Sequence, residues 1–490
     1  MTNALIFSAV LLPLLGSGLL ALLPGERKTL LHGTVLITLL LETAAVTGLL
    51  FVPDTGFYLF SMTDSLHVNV RLDGISRLFL TVAAYAFLAS AVYAFRYLDH
   101  SPREKSFFCF YLLSLGALAG MDLAGNLIAM YLFFELLTLC SMPMVLHDRT
   151  EESIRGALKY LFYSVAGAFL ALLAIFFLSK YGTSLDFRTG GVLDPGRVRG
   201  HESLLRVVFF LGIVGFGAKA GLYPLHGWLP TAHPVAPAPA SAVLSGVIAK
   251  AGVFTVLRLI YGCIGPDFLR GSWVQNALLG LSMLTVFMGS MMAYREKALK
   301  KRLAYSSVSQ ISYILTGLFL LTPVGVEGGL LHVIFHACIK VSLFMVAGAF
   351  IHCLGLHRVE ELRGVGRAMP KTLWAFTLSS LALVGIPPAS GFISKWYLAQ
   401  GALESGLPVF GWLVPVVLLI SALLTAGYLL PITIDGFFPG KDCKAFSARN
   451  DEGGVGMWAP ILVLGVAAML LGLCSAGLCD WVAAAARSLF

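Results

Sequence analysis

Four lysines lie where a lysine is costly. Lys219, Lys250, Lys340 and Lys395 each sit inside a long apolar run, whereas the other basic residues fall in loops or at helix ends. A lysine at the centre of a bilayer costs about 2.5–3.5 kcal/mol on insertion scales, so it is rare there and usually functional. Its amine can be tuned to gain and lose a proton, which a guanidinium effectively never does. The run GLLHVIFHACIKVSLFMVAGAFIH (329–352) adds two histidines to one of these lysines. His332, His336 and Lys340 fall at i, i+4 and i+8, so on a helix they span about 80° of one face and rise over about 12 Å. Histidine titrates near neutrality, and two of them beside a lysine suit a proton relay. Glu135 is the one charge in NLIAMYLFFELLTLCSMPMVL (126–146). A nearby ammonium would hold its carboxylate ionised, and Lys219 is the natural partner.

Each of these residues has a plainer reading. A lysine near a helix end can snorkel to the interface, and this weighs most for Lys340, because His352 and a loop follow about three turns on. His332 and His336 have the spacing of a zinc pair, but no third ligand stands out, and they can also simply pack. Glu135 can be a structural ion-pair partner. Glu42, also within an apolar run, is assigned a local or interface role outside the relay. His226 and His233, in a proline-rich loop without charge, either end the relay or pack. The basic cluster REKALKKR (295–302) reads most simply as a topology determinant.

The elements that must carry these residues follow from composition. The 490 residues are 58% hydrophobic and 12% charged, with a mean hydropathy of +0.85. A soluble domain has about 25% charged residues, so the chain is an all-α integral membrane protein in expectation. Its net charge of +8 does not point to nucleic acid, since the basic residues sit in short loops. The eight cysteines are scattered without a CxxC pair, so no disulfide framework, haem, iron–sulfur site, other cofactor or metal is expected. A spanning helix needs about 20 apolar residues. Fourteen candidates result, at 4–23, 29–52, 75–97, 106–121, 124–146, 157–179, 206–225, 238–261, 274–294, 303–322, 328–353, 372–400, 408–434 and 457–478.

Two of the fourteen are interrupted. Pro224 lies five residues after Lys219, and Pro387 and Pro388 precede Lys395. Each proline removes a backbone hydrogen bond and breaks its helix, the seventh and the twelfth. A broken membrane helix with an ionisable residue at the break is the pattern of an ion path. The two breaks are five helices apart, and an odd offset inverts the copies. This predicts two inverted five-helix repeats, helices 4–8 and 9–13. The expected organisation is helices 1–3 in 1–105, the first repeat in 106–262, the second in 263–437, and a loop with the fourteenth helix in 438–490. Loops after odd-numbered helices hold 20 Lys and Arg against 10 on the other side. Both termini should therefore face away from the cytoplasm.

Five stretches resemble one family. They are FFELLTLCSMP (133–143), GAKAGLYPLHGWLPTAHPVAPAPASAVLSG (217–246), KRLAYSSVSQISYILTGL (301–318), HVIFHACIKVSLFMVAG (332–348) and GIPPASGFISKW (385–396). The family is that of the antiporter-like subunits of respiratory complex I, which also includes large subunits of Mrp-type cation/proton antiporters and of membrane-bound energy-converting hydrogenases. The resemblance covers about residues 70–435. It implies a fourteen-helix fold with two inverted repeats and discontinuous seventh and twelfth helices. It also implies a relay of Glu135, Lys219, Lys250, His332, His336 and Lys395. Lys159, in LKYLFYS (158–164), matches a recurrent sixth-helix lysine. The function implied is a non-redox, proton-translocating subunit of a redox-driven pump, complex I-like or a hydrogenase. The alternative is the D-type subunit of an Mrp sodium/proton antiporter, and an independent solute permease is the third reading. Partners would be other, homologous membrane subunits, with protons as cargo and sodium as the alternative. The expected location is the bilayer of a bacterial or archaeal cytoplasmic membrane.

Overall fold

Long apolar runs become helices because hydrocarbon offers the backbone no outside partner, so each N–H and C=O must bond within the segment. The computed structural model describes residues 2–25, 27–63, 66–440, 446 and 452–490. A helix covers each predicted segment. These are α1 (Thr2–Leu22), α2 (Lys28–Leu49), α3 (Gly74–Tyr97), α4 (Glu104–Asp122), α5 (Leu127–Val145), α6 (Glu151–Tyr181) and the pair α7 (Glu202–Ala220) and α8 (Leu229–Val235). They continue with α9 (Ala238–Ile264), α10 (Trp273–Arg295), α11 (Leu299–Phe319) and α12 (Pro323–Leu354). The pair α13 (Pro370–Val384) and α14 (Ser390–Leu403) follows, then α15 (Phe410–Phe437) and α16 (Val455–Leu473). Among the described residues, 11 helices are long and apolar enough to cross a membrane. The halves α13 and α14 are short, with 15 and 14 residues. α11 is polar, with LKKR at its start and a serine-rich middle.

Side chains set several helix starts. Asp73, Asn126, Thr150 and Thr322 each accept a bond from a backbone N–H in the first turn of α3, α5, α6 and α12, which satisfies one of the donors a helix leaves open. The two predicted breaks are present, and a glycine makes each stop. α7 ends at Gly221 and α13 at Gly385, both left-handed, with φ of 80° and 86°. The prolines that follow keep the helix from resuming. One departure inside a helix has no signal in composition. α9 contains π-helical turns at Leu244–Ile248 and Ile260–Ile264, and Lys250 stands just after the first.

The fold also contains two strands that an all-α reading lacks. β1 (Thr55–Thr63) and β2 (Leu66–Leu72) form an antiparallel hairpin between α2 and α3. LHVNVRL alternates apolar and polar residues with the period of a strand, and this overrides the helical expectation around it. A short helix, α17 (Ala476–Arg487), follows α16 and packs on α3, where Ala485 touches Gly74. α9 is buried over its whole length, and α12 is nearly so. α1, α15 and α16 turn Leu15, Leu22, Leu419, Leu423 and Val463 outward, the lipid-facing side of such a molecule. Lys441, Lys444 and Arg449, which enter the orientation count, lie outside the described residues.

Candidate functional site

α5 and α7 build the first part of the site. Lys219 comes from the last turn of α7 and is fully buried. Its Nζ donates to Thr138 Oγ1 at 2.6 Å and lies 5.0 Å and 5.3 Å from the ring centres of Phe134 and Tyr160. Glu135 stands one turn before Thr138 on α5 and is half-buried, with Oε1 enclosed and bonded to nothing. No ion pair joins Glu135 and Lys219 among the described residues. The expected partner is near enough to act through its field, but Thr138 holds the ammonium in this arrangement. Lys159 of α6 is half-buried and donates to Thr231 Oγ1 of α8 at 3.1 Å.

α9 and α12 meet at the middle. A Cβ on Gly246 would stand 2.4 Å from Val341 Cγ2, so only glycine lets the two helices come this close. Lys250 is buried there, and its ammonium donates to the Gly246 carbonyl. Across the contact, Cys338 and His336 feel its charge. His336 has no exposed surface, and neither ring nitrogen has a bonding partner. Its ring stacks on His332 at 5.7 Å. His332 is bonded at both nitrogens, Nδ1 to Ser394 Oγ at 2.8 Å and Nε2 to Gln310 Oε1 at 3.1 Å. With both nitrogens engaged, His332 is not arranged as half of a zinc pair.

Tyr313 of α11 continues the line. Its ring stacks on His332 at 5.4 Å, and the Lys395 ammonium lies 5.5 Å from its centre. Lys395 Nζ donates to the carbonyls of Leu383 and Val384, each at 2.7 Å. These are open carbonyls at the end of α13, where the helix break leaves them without N–H partners and where the helix dipole favours a cation. Lys340 does not reach toward the interface. It is fully buried, and its Nζ donates to the Leu303 carbonyl at 3.0 Å.

The structure adds residues that sequence reasoning passed over. Thr138, Gln310, Tyr313 and Ser394 hold or link the expected groups. A signal for two of them was available in ISYILTG and the preceding SSVSQ, which are unusually polar for a buried helix. Lys300 is a correction. It belongs to the basic cluster read as a topology determinant, yet it is buried and donates to the carbonyls of Pro234 and Ala236 at the end of α8. His233 is also fully buried, stacked 4.8 Å from Phe344 with both nitrogens unbonded, in the field of Lys300 and Lys340. His226 is half-buried and stacks on Tyr223 at 5.7 Å. Glu42 is fully buried on α2 with both oxygens unbonded.

Residues 124–425 match the family described as NADH:quinone oxidoreductase/Mrp antiporter, TM. NADH-quinone oxidoreductase subunit N of Desulforudis audaxviator is 33% identical over 435 residues, which cover 85% of this chain and 84% of that one. Hydrogenase-4 component B of Escherichia coli is 33% identical over 351 residues, 68% of this chain, but the match spans only about half, 51%, of its length. The fold resembles a chain in the structure of the Mrp complex from Dietzia sp. DQ12-45-1b, with a TM-score of 0.86, 24% identity, and coverage of 100% of this chain and 97% of that one. The matched region begins before α5 and ends within α15, so it contains every residue of the line from Glu135 to Lys395. The chain belongs to the NADH:quinone oxidoreductase/Mrp antiporter membrane family.

Proposed function

We propose that this chain is a proton-translocating, antiporter-like subunit of a multi-subunit redox-driven pump, and that it carries no redox centre of its own. Protons enter one half-channel, pass along Lys219, Lys250, His336, His332 and Lys395, and leave by a second half-channel. Glu135 acts on Lys219 through its charge. When the two approach, Lys219 holds its proton, and when Lys219 turns to Thr138 the proton is released toward Lys250. Lys159 and Lys340 stand at the edges of this line. In this reading fourteen helices cross the membrane, and helices 4–8 and 9–13 form inverted repeats. Their broken seventh and twelfth members each bring one lysine to the break. Both termini face away from the cytoplasm of a bacterium or archaeon. Other antiporter-like membrane subunits flank the chain in its complex.

The observation that carries the reading is His336. A buried imidazole with neither nitrogen bonded costs about 1–3 kcal/mol, and it lies in the field of Lys250, Lys340 and Lys395. A group in that position is free to take a proton from one cation and pass it to another. The test is at Lys250. A relay residue must release its proton, which a guanidinium effectively never does. Lys250→Arg should therefore keep assembly but stop proton transport in reconstituted vesicles, whereas Lys250→His should retain part of it. Transport by the Arg variant equal to or above that of the His variant refutes the relay role.

The fold likeness to the Mrp complex favours a second reading, a D-type subunit of a sodium/proton antiporter. It predicts sodium-dependent proton movement in vesicles with no redox partner present. The pump reading predicts none until the redox subunits are supplied.

A further inference from the structure

α3, α4 and α9 end together on the hairpin side of the molecule, away from the basic cluster 295–302. Three charged side chains that the relay does not use meet there. Asp122 is the last residue of α4, is fully buried, and has no bonding partner at either carboxyl oxygen. It sits at the carbonyl end of its helix, where the dipole disfavours a negative charge. Arg258 of α9 faces it electrostatically and leaves its own Nε unbonded. The rest of that guanidinium grips Asp73, Nη1 to Oδ2 and Nη2 to Oδ1, both at 2.8 Å, and Nη2 also donates to Ser76 Oγ at 3.0 Å. Phe187 and Phe254 flank it at 5.4 Å and 5.1 Å. In front of Asp73, a cavity of about 650 Å³ lies beneath the hairpin, lined by His67, Asn69, Arg71 and Asp73 among others. Arg71 closes on Asp73 from the cavity side at 2.9 Å, and His67 pairs with Asp186 at 3.0 Å.

We infer that Asp122 is a proton-accepting site reached from the cavity beneath the hairpin, and that the Asp73–Arg258 pair is the gate between them. Asp73 belongs to both spaces. It lines the cavity and it holds the arginine that faces Asp122. While the pair is closed, Asp122 is sealed off. When it opens, a hydronium ion in the cavity gives its proton to an Asp122 oxygen, an O–H bond forms there, and water is left behind. A metal cation does not suit the place. It would need several oxygen ligands, and it would have to sit against a guanidinium. A proton needs one oxygen and leaves the arginine in position. Arg258 and Lys250 lie on the same helix, eight residues and thus about 12 Å apart along its axis. The site therefore stands at the hairpin end of the helix that carries the centre of the relay, and its part in transport rests on the relay reading above.

The test uses the assembled complex in vesicles and has two readouts. The first is the infrared C=O stretch of a protonated buried carboxyl and its isotope shift in deuterated water. Asp122→Asn should remove that band. In a chain whose 8 native cysteines are replaced, Tyr58→Cys puts a thiol on an exposed residue lining the cavity. A bulky water-soluble maleimide there should slow the isotope shift of the same band. A band unaffected by Asp122→Asn, or exchange unaffected by the plug, overturns the inference. If Asp122→Asn fails to assemble, the plugged chain alone decides. The second readout is proton transport, which Asp122→Asn should lower by about a hundredfold, the scale of losing a positioned proton carrier. Wild-type transport in that variant means that Asp122 takes no part in it. Transport that survives Lys250→Arg while the Asp122 band still answers to the plug sinks the relay reading and leaves this site standing.

Discussion

Glu135 and Thr138 compete for one ammonium. They lie three residues apart on α5, so both face α7, and Lys219 is bonded to the threonine at 2.6 Å. A carboxylate acts on such a lysine through its charge, whereas a hydroxyl only accepts a hydrogen bond. Removing the charge should therefore matter more than removing the hydroxyl. Glu135→Ala should abolish most ion translocation with assembly intact, because the surrounding helix stays apolar. Glu135→Asp should be milder, since the charge survives on a shorter arm. Transport assays on purified, equally assembled complexes decide this. Near wild-type transport in the alanine variant would show that the charge plays no part in passing protons to Lys250.

The breaks after α7 and α13 hold lysines where straight helices would not, and glycine is what permits them. Gly221 and Gly385 have φ of 80° and 86°, which other residues adopt at a strain of about 1–2 kcal/mol. Space is short as well. A Cβ on Gly221 would meet Leu229 Cδ1 at 2.3 Å, and one on Gly385 would meet Lys395 Cδ at 3.0 Å. Gly385→Ala should lower the thermal stability of the assembled protein and displace the Lys395 ammonium from the two carbonyls it satisfies. Transport should fall with it. Gly406 is a control, since it also has positive φ but no atom within 4 Å of the place a Cβ would take. Gly406→Ala should show the backbone strain without the loss of transport. Equal transport losses in the two variants would rule out the placement of Lys395 as the cause.

The whole molecule distributes its charge unevenly, and this sets the expected orientation. The segment joining α10 to α11 carries the densest basic cluster, and positive loops stay on the cytoplasmic side. The residue chosen to probe it matters. Lys300 is buried against Pro234 and Ala236, so a thiol there would be shielded whichever way the chain faces. Lys297 is the better position, with a side chain 63% exposed. In a cysteine-depleted chain, Lys297→Cys should react with an impermeant maleimide added from the cytoplasmic side and not from the other. The reverse pattern overturns the orientation. Burial of Lys300 also means that the cluster is not a set of equivalent solvated charges. Lys300→Ala would leave the carbonyls at the end of α8 without their donor, whereas Lys297→Ala removes only an exposed pairing with Glu360.

Local composition was enough to mark every helix that carries the line of charge, because hydrocarbon forces backbone bonding inside each segment and long apolar runs cannot do otherwise. The same rule made the four intramembrane lysines, Glu135 and the two histidines of α12 stand out before any contact was known, and it located both breaks to within a few residues. The hairpin was legible too, in the strict alternation of LHVNVRL, although its surroundings read as helix ends. What composition does not contain is which side chain meets which. Thr138 rather than Glu135 on Lys219, Ser394 and Gln310 on His332, and the open carbonyls of α13 on Lys395 join residues from 12 to 81 positions apart. Such bonds exist only after helices pack. The π turns around Lys250, the burial of Lys300 and the meeting of Asp73, Asp122 and Arg258 are of the same kind. Hydrophobicity selects the segments one by one, whereas hydrogen bonds and fields in the interior depend on how the segments are placed against each other, and the tertiary structure alone decides that.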